Sequence, residues 1–572
     1  MMHWVKKYWA TVAVFLLLLA VFVTNAFHEK YPDEFDSIVG GRYITEGKLP
    51  YRDWFQHHQP GAYVMAATIL PFSGQSFVKF RVGWEIVLSM LLIGSYFLIK
   101  SRLPKRNLSF YVVLLFVIGV SGTYFWGHML LADTLAGYFI LPSFALLFLK
   151  DYYGEKFEKE DLMIVGWFAF LSWFTSMTYI FIVAAISLYA LYLFVTARGK
   201  QPVFPRILTG VSLLAAPYLL FGAYLVLTGS VADYYWANVV YNTNYYIYNY
   251  PHAPGAPINP IRYAAVIFDT FINNYILAVW GAKDFPLGNP VQVTIAFSSA
   301  AAIVLVLVRK RFLFLIPLLT VLVFSNARSN PQSIRETDYQ AFVYIITSFF
   351  NGLFSLWAVR ELIDEEHIAF SKKLALGGLY AALLLYWIAT PLYFVMKMEQ
   401  KFFPKYMGTA PLIYSRPQIA HYVNAIVDPS DYVYIGPFEF EELFYLTSKK
   451  QPSKYHWFLD HAAKNKIKDE LLADLNKTRP KLIVFQRDFA PWGGDPKTYN
   501  WWMTEFLDAN YFRLFTLNGT LPDVEYKWKL GKTQNFDLDA SFNFDKRYEK
   551  EILEKLLSLG YIEKLPKQRS GK

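Results

Sequence analysis

The fold is decided by an apolar run at Tyr8–Ala26, whose sequence is YWATVAVFLLLLAVFVTNA. The run has no charged residue, and its length suits a bilayer core of about 30 Å. Similar runs recur at Leu108–Trp126, Ile207–Thr228 and Leu374–Phe394. None of them alternates with polar residues, as a helix on the surface of a soluble core does. The sequence therefore predicts a polytopic α-helical membrane protein.

The composition agrees with this fold class. The chain has 572 residues, of which 55% are hydrophobic and 17% charged, whereas soluble domains carry about 25% charged residues. It has no cysteine, which excludes disulfides, thiolate catalysis and thiolate metal sites. The net charge of +10 comes largely from basic residues at helix ends, where they fix topology. No nucleic-acid partner is expected.

Basic residues mark alternate junctions between the apolar runs, which by the positive-inside rule are cytoplasmic. The pattern predicts about eleven transmembrane helices in the cell membrane, with the N-terminus in the cytoplasm. Lys6 and Lys7 precede the first run, which is long for a signal peptide and is interpreted as a span. Two long loops, 28–81 and 230–290, then lie on the outer face.

The second of these loops contains two ambiguous stretches. Tyr234–Tyr250 is rich in tyrosine and is expected to lie at the membrane interface, because its rings have an apolar body and a polar tip. Ala264–Ala282 is apolar but interrupted by Asp269, Asn273 and Asn274. A spanning helix there is therefore doubtful.

The sequence pattern changes after residue 400, where the long apolar runs end. Short β-like runs occur at Asp431–Ile435 and Lys481–Gln486, among helical patterns at Gln418–Val427, Lys464–Asn476 and Lys546–Leu559. Strands that alternate with helices indicate an α/β domain. The predicted organisation is a transmembrane domain at 1–400 and an extracytoplasmic α/β domain at 401–572.

The polar stretch that follows the first apolar run holds most of the candidate site residues. It runs from Tyr31 to Gly61 and reads YPDEFDSIVGGRYITEGKLPYRDWFQHHQPG. Asp33 and Glu34 are candidate catalytic carboxylates, although Asp33 can also cap a short helix predicted at Phe35–Thr45. The other candidates in this stretch are a cation and two histidines: Arg52, His57 and His58. A single histidine can bind an anion, or a metal together with Asp33; the alternative is that both are loop histidines in water.

Three further candidates lie later in the chain. Asp133 stands between Leu and Ala residues at the start of the predicted fourth span, where a charge usually has a partner or a function. The alternative is a carboxylate favoured by the helix dipole. Arg328 and Arg335 lie between two spans, and arginine matches phosphate with two hydrogen bonds. Alternatively, Arg335 pairs with nearby acidic residues, or both arginines lie at exposed helix ends.

The order of these residues resembles the GT-C superfamily of membrane glycosyltransferases. The likeness is carried by the acidic pair after the first span, by EGKLPYRDWFQHHQPG at 46–61 and by LLAD at 130–133. It is strongest to the family-39-like bacterial enzymes, which are related to protein O-mannosyltransferases and aminoarabinose transferases. It covers roughly residues 1–400, and the C-terminal domain resembles others attached to such enzymes more loosely.

The resemblance implies a polyprenyl-phosphate-linked sugar as donor and a glycan, lipid or protein as acceptor, on the outer face of the membrane. The first-loop aspartate, here Asp33 beside Glu34, would act as general base or hold a divalent metal ion, and Asp133 matches a second acidic residue. The family often has a lysine that contacts the lipid phosphate where this chain has His58. Since neutral histidine is a weaker anion ligand, Arg328 or Arg335 would have to compensate.

Other functions remain open from the sequence. A transporter or flippase should show ionisable residues in mid-span and broken helices in matching halves. A glycan polymerase or ligase would also use large outer loops, and only a donor assay separates it from a glycosyltransferase. A non-catalytic membrane anchor leaves the acidic first loop unexplained.

Overall fold

The computed structural model of the protein is mostly helical, with one small sheet. It describes residues 2–28, 31–74, 76–197, 202–246, 260–283, 290–308, 314–330, 339–364, 370–407, 420–436, 441–447, 449–456, 465–487, 500–516 and 540–560.

The helices are numbered in chain order. They are α1 (Met2–Thr24), α2 (Pro32–Thr45), α3 (Gly61–Ser73), α4 (Phe77–Arg102), α5 (Ser109–Ser121), α6 (Ala132–Tyr152), α7 (Lys159–Thr175), α8 (Ile180–Thr196), α9 (Val203–Leu227), α10 (Val231–Tyr235), α11 (Pro260–Ala282), α12 (Pro290–Val308), α13 (Leu315–Phe324), α14 (Phe342–Ile363), α15 (Phe370–Met407), α16 (Glu441–Thr447), α17 (Lys466–Lys477), α18 (Trp501–Asn510) and α19 (Glu549–Ser558). Shorter 3₁₀ turns occur at Asn25–Phe27, Gly122–Phe125, Met177–Tyr179, Tyr339–Ala341 and Lys546–Tyr548, and a π-helix occupies Trp236–Tyr246.

Seven helical segments of the described chain are long and apolar enough to cross a membrane. They are Phe77–Arg102, Ala132–Tyr152, Met177–Thr196, Val203–Leu227, Pro260–Gly281, Tyr339–Ile363 and Leu376–Phe394. This is the pattern of a polytopic membrane protein. Further apolar helices among the described residues are shorter, so the number of eleven spans and the orientation stay predictions.

One of these seven helices covers a stretch in which the sequence made a spanning helix doubtful; the helix is continuous and long enough, and whether it spans stays a prediction. The stretch Ala264–Ala282 lies within α11, which continues through its polar residues. The amide of Asn273 donates to Asp269 one turn earlier, at 3.2 Å. Asn274 is buried, and its Nδ2 donates to Oδ1 of Asn326 at 3.0 Å. Each of the two asparagine amides thus donates a hydrogen bond, one within the helix and one to a neighbouring segment, as polar side chains on packed apolar helices often do.

The chain folds into two compact units that do not follow its linear order. The first, here called the helical unit, comprises Met1–Lys30, His58–Val231 and Pro257–Lys401. The second, here called the composite unit, comprises Tyr31–His57, Ala232–Ala256 and Phe402–Lys572. Its last part, Phe402–Lys572, is here called the C-terminal segment and begins close to the predicted boundary at 401. Its unit also takes in most of the polar first-loop stretch and the aromatic part of the second loop.

The helical unit is built around two central helices. In α6 and in the segment Tyr339–Ile363, 94% of the most apolar 18-residue stretch is buried inside the protein. Small residues allow close contact between them: a Cβ on Gly137 of α6 would lie 2.6 Å from the ring of Phe342. Further along α14, Gly352 packs directly against Ser298 and Trp387. These two helices therefore form the core on which the other helices pack.

Buried ion pairs join three helices at one end of the helical unit. Asp161, which is fully buried, accepts a hydrogen bond of 2.6 Å from Arg102 Nε. Lys150 Nζ lies 3.0 Å from the other carboxylate oxygen of Asp161. Arg102 also donates to Glu158 at 2.8 Å. Arg102 and Lys150 lie in junctions between apolar runs that are rich in basic residues and predicted to be cytoplasmic. Through Asp161 of α7, these two cations also connect α4 and α6.

The composite unit contains a four-stranded sheet. Its strands are β1 (Val433–Gly436), β2 (Leu482–Gln486), β3 (Tyr511–Thr516) and β4 (Ala540–Asp545), in the order β1-β2-β4-β3. β1 and β2 are parallel, with Ile435 opposite Val484, and the other pairs are antiparallel. The two predicted strands are confirmed as β1 and β2, and the predicted helices match residues 420–426, α17 and α19. The sequence did not predict β3 and β4.

Three distant segments share the hydrophobic core of the composite unit. Phe55 from the first loop packs against Tyr241 of the π-helix and Tyr455 of the C-terminal segment, with ring centroids 5.1 and 5.3 Å apart. The backbone N–H of Phe55 donates to the carbonyl of Lys454 at 2.8 Å. Tyr241 is fully buried. The aromatic run expected at the membrane interface thus supplies core residues, and its position at headgroup level stays a prediction.

The contact at Gly352 yields a test of the helical core. Gly352→Ala should lower the free energy of unfolding by about 1–3 kcal/mol, because its Cβ has no space beside Ser298 and Trp387. Gly377→Ala in α15 is the control, since a Cβ there meets no atom within 4 Å; this variant should be neutral or slightly stabilised. Thermal unfolding of both variants in detergent measures the difference. Equal melting temperatures would contradict the close helix contact.

Candidate functional site

The first candidate residues lie at the start of α2. This helix begins at Pro32, with Tyr31 as its N-cap, and not at Phe35 as predicted. The interpretation of Asp33 as a capping residue is therefore wrong. Proline suits the first helical position because its missing N–H is not needed there. Asp33 and Glu34 fall in the first turn, where the helix dipole stabilises negative charge.

The two carboxylates of this turn differ in accessibility. Glu34 is fully buried, whereas Asp33 is only half-buried. Phe35 is also buried and packs against the ring of Tyr445 at 6.0 Å. Consecutive helical residues point about a quarter turn or more apart, so α2 buries Glu34 and Phe35 and leaves Asp33 more exposed. Of the acidic pair, Asp33 is the carboxylate that a substrate can reach.

Arg52 lies in a tight turn that follows α2. Gly47 and Tyr51 have positive φ angles of 79° and 71°. Asp53 accepts a hydrogen bond from the backbone N–H of Leu49 at 2.8 Å and one from Arg52 Nε at 2.9 Å. The Arg52 guanidinium lowers the pKa of Asp53 below its usual value. Arg52 thus has a carboxylate partner within the turn, and 46% of its side chain is exposed.

The two histidines of the first loop have different environments. His57 is buried, and its ring lies 4.4 Å from that of Tyr246. The alternative of a solvated loop histidine is therefore wrong for His57. His58 is half-buried and belongs to the helical unit. Within the described ranges, no group of three or more His, Asp or Glu side chains is placed to hold a metal ion, and the Asp33–His58 metal site stays a prediction.

The last residue of the polar first-loop stretch, Gly61, lies where there is no space for a side chain. Gly61 is the first residue of α3, and a Cβ there would lie 2.8 Å from both the backbone carbonyl oxygen of Phe174 and Cα of Thr175. Such a distance is too short for any side chain, and a backbone atom cannot move aside cheaply. The start of α3 is therefore held against the end of α7, and this contact fixes the position of His58.

Asp133 and Arg328, which the sequence singled out independently, meet in the helical unit. Asp133 lies in the first turn of α6 and is 3% exposed. Its Oδ1 accepts a hydrogen bond of 2.6 Å from the hydroxyl of Tyr179. Arg328 Nε lies 3.6 Å from the same oxygen. Asp133 therefore lies at a helix start, where the dipole favours negative charge, and it also has a charged partner.

This cluster joins four segments of the helical unit. Tyr263 of α11 lies beside it, with its hydroxyl 3.5 Å from the backbone carbonyl of Ala327. One-fifth of the Arg328 side chain is exposed. A buried carboxylate beside an arginine is strongly attracted to it, because the surrounding dielectric is low. Arg335 lies outside the described residues.

Sequence reasoning missed a second set of buried ionisable groups. Arg81 and Glu85 lie one turn apart on α4, and both are fully buried. His128 is buried as well, and its ring lies 6.2 Å from that of His28. Arginine and glutamate are almost never fully buried without partners. The signal in the sequence was the pair of charges at the start of an otherwise apolar run.

Comparison with known proteins gives no independent family assignment: no family model matches the chain, and no curated protein does either.

The Asp133–Arg328 contact yields a test by double-mutant cycle. Arg328→Gln should cost about 3 kcal/mol of stability, because it leaves a buried carboxylate without its cation. Asp133→Asn should cost less, since Arg328 is partly exposed. The double variant should lose less than the sum of the two, with a coupling energy of about 1–3 kcal/mol. Thermal unfolding in detergent gives these values, with exposed Lys105→Gln as control. Strictly additive losses would contradict the contact.

Proposed function

We propose that the protein is a membrane glycosyltransferase that moves a sugar from a polyprenyl-phosphate-linked donor to an acceptor hydroxyl on the outer face of the membrane. The observation that carries this proposal is the Asp133–Arg328 pair. The two groups come from separate segments and meet among helices apolar enough to cross a membrane. An ionisable pair in that setting is costly and usually functional.

The chemistry of the donor explains why such a pair is useful. The leaving group is a lipid phosphate, which carries negative charge and stays in the membrane with its lipid chain. Arg328 can bind the phosphate with two hydrogen bonds, while Asp133 and Tyr179 orient its guanidinium. Arg52, His57, His58 and Arg335 remain further candidates for the phosphate or the sugar. His57 is the least accessible of those that the structure describes.

Asp33 is the proposed general base, with Glu34 beside it. In the reaction, the bond between the anomeric carbon and the phosphate oxygen breaks, and a bond from the acceptor oxygen to that carbon forms. The acceptor proton passes to Asp33, and the electron pair of the broken bond stays on the lipid phosphate. A single displacement of this kind inverts the configuration at the anomeric carbon. The alternative role of Asp33, as ligand of a divalent metal ion, stays open beside this one.

A second candidate function is a transporter or flippase for a lipid-linked or polar solute. The observation that favours it is Glu85, a fully buried carboxylate inside a candidate span. Ionisable residues within spans often mark the path of a substrate or proton. A glycan polymerase or ligase shares the outer-face chemistry of the first proposal. A transfer assay with a defined polyprenyl-phosphate sugar, beside a transport assay in proteoliposomes, separates the three.

The transfer assay also tests the role of Asp33. Asp33→Asn should lower kcat by at least about 10²-fold, because it removes the acceptor of the hydroxyl proton. The melting temperature in detergent should stay close to that of the wild type, since Asp33 is only half-buried. Asp469→Asn, whose carboxylate is 80% exposed, is the control and should keep full activity. Near-normal turnover of Asp33→Asn would remove Asp33 from the mechanism.

A further inference from the structure

His456 of the C-terminal segment is buried next to helix α2. Its side chain is 3% exposed. Three aromatic rings surround it: Tyr43 at 6.0 Å, Trp54 at 6.4 Å and Phe444 at 6.1 Å between ring centroids. Tyr43 belongs to α2, Trp54 to the turn that follows, and Phe444 to α16. The imidazole therefore fills the space where the first loop meets the C-terminal segment within the composite unit.

The imidazole faces a carboxylate of α2. His456 Nε2 lies 3.9 Å from Oδ1 of Asp36, which is too long for a hydrogen bond and at the outer limit of an ion pair when the imidazole is protonated. The amide Nε2 of Gln56 donates to both oxygens of Asp36, at 2.9 and 3.1 Å. Asp36 is thus held from two sides, by Gln56 of the first loop and by His456 of the C-terminal segment.

The position of Asp36 on α2 connects this contact to the proposed base. Asp36 is three residues after Asp33, and residues at that spacing are neighbours on one face of a helix. Two further contacts fix the same helix: Phe35 packs on Tyr445, and Arg42 donates to the carbonyl of Phe444 at 3.5 Å. The C-terminal segment therefore contacts α2 at both of its ends.

We propose that His456 is a positioning residue, which acts through Asp36 to fix the rotation and height of α2 and thereby the direction of the Asp33 carboxylate. This inference rests on the proposed function, because the position of α2 affects turnover only if Asp33 is the base. It gives the C-terminal segment a role in the reaction: the segment holds the reactive helix. Small errors in the position of a catalytic group cost up to about 10²-fold in rate.

Activity measurements provide the first test. His456→Phe keeps an aromatic ring but removes Nε2, and it should lower kcat about 10–100-fold with the donor KM changed by less than about twofold. His456→Gln keeps a polar side chain beside Asp36 and should recover part of the loss. Asp36→Asn should resemble His456→Phe, and the double variant should be no slower than the slower single one. His421→Gln is the matched control, because His421 is exposed in the same segment.

A second test does not depend on activity. The chain has no cysteine, so a single Ser37→Cys variant reports on α2 without background labelling. Ser37 is 4% exposed, and its cysteine replacement should react slowly with maleimide. Adding His456→Phe should accelerate labelling about tenfold, because α2 opens more often once its contact is lost. Adding His421→Gln should leave the rate unchanged.

The two tests separate the possible failures. If His456→Phe changes neither kcat nor the labelling rate, or lowers only the melting temperature, His456 is an ordinary core residue and the inference is overturned. If the wild type transfers no sugar from any polyprenyl-phosphate donor while labelling still depends on His456, the proposed function fails but the contact with α2 stands. Loss of kcat with unchanged labelling would also overturn the positioning role.

Discussion

The aromatic contact made by Phe55 is the constraint on which the composite unit depends. Its ring touches Trp236, Tyr241 and Tyr455, which come from two other parts of the chain. Aromatic pairs in such tilted and edge-on geometries contribute about 0.5–1.5 kcal/mol each beyond the burial of their surface. The loop that follows α2 is therefore fixed at its centre. The turn at Arg52 ends directly before that anchor, and α2 has its own contacts with the C-terminal segment.

Much of the fold could be predicted from the sequence, because long apolar runs and short β-like runs leave a local signal. The runs at Tyr8–Ala26 and Leu374–Phe394 lie in α1 and α15, and the predicted strands lie in β1 and β2. α11 was doubted because the sequence shows polar residues but not the partner that Asn274 finds in Asn326. The shared core was missed for a related reason, since buried tyrosines and tyrosines at a membrane surface have the same local pattern.

The sequence identified several of the candidate residues, but it did not predict which residues contact one another. Asp133 and Arg328 were each recognised as charges in apolar surroundings, and the structure brings them together. Arg81 and Glu85 carried the same signal but were overlooked at the edge of the first loop. His57 was misjudged because its burial depends on Tyr246, a residue far along the chain. Tertiary partners of this kind decide whether a polar residue is solvated or enclosed, and no local pattern encodes them.

The shared core also sets the order in which the protein can be assembled during synthesis. About 400 residues separate Phe55 from Tyr455, and at about 5–20 residues per second their translation takes roughly 20–80 seconds. During that interval the core of the composite unit is incomplete, because Phe35 and Phe55 lack their partners Tyr445 and Tyr455. Contacts of such long range also slow folding, because the entropy of closing the chain must be lost first. Ribosomes that stop before the C-terminal segment would thus release a membrane protein whose first loop is a target for quality control.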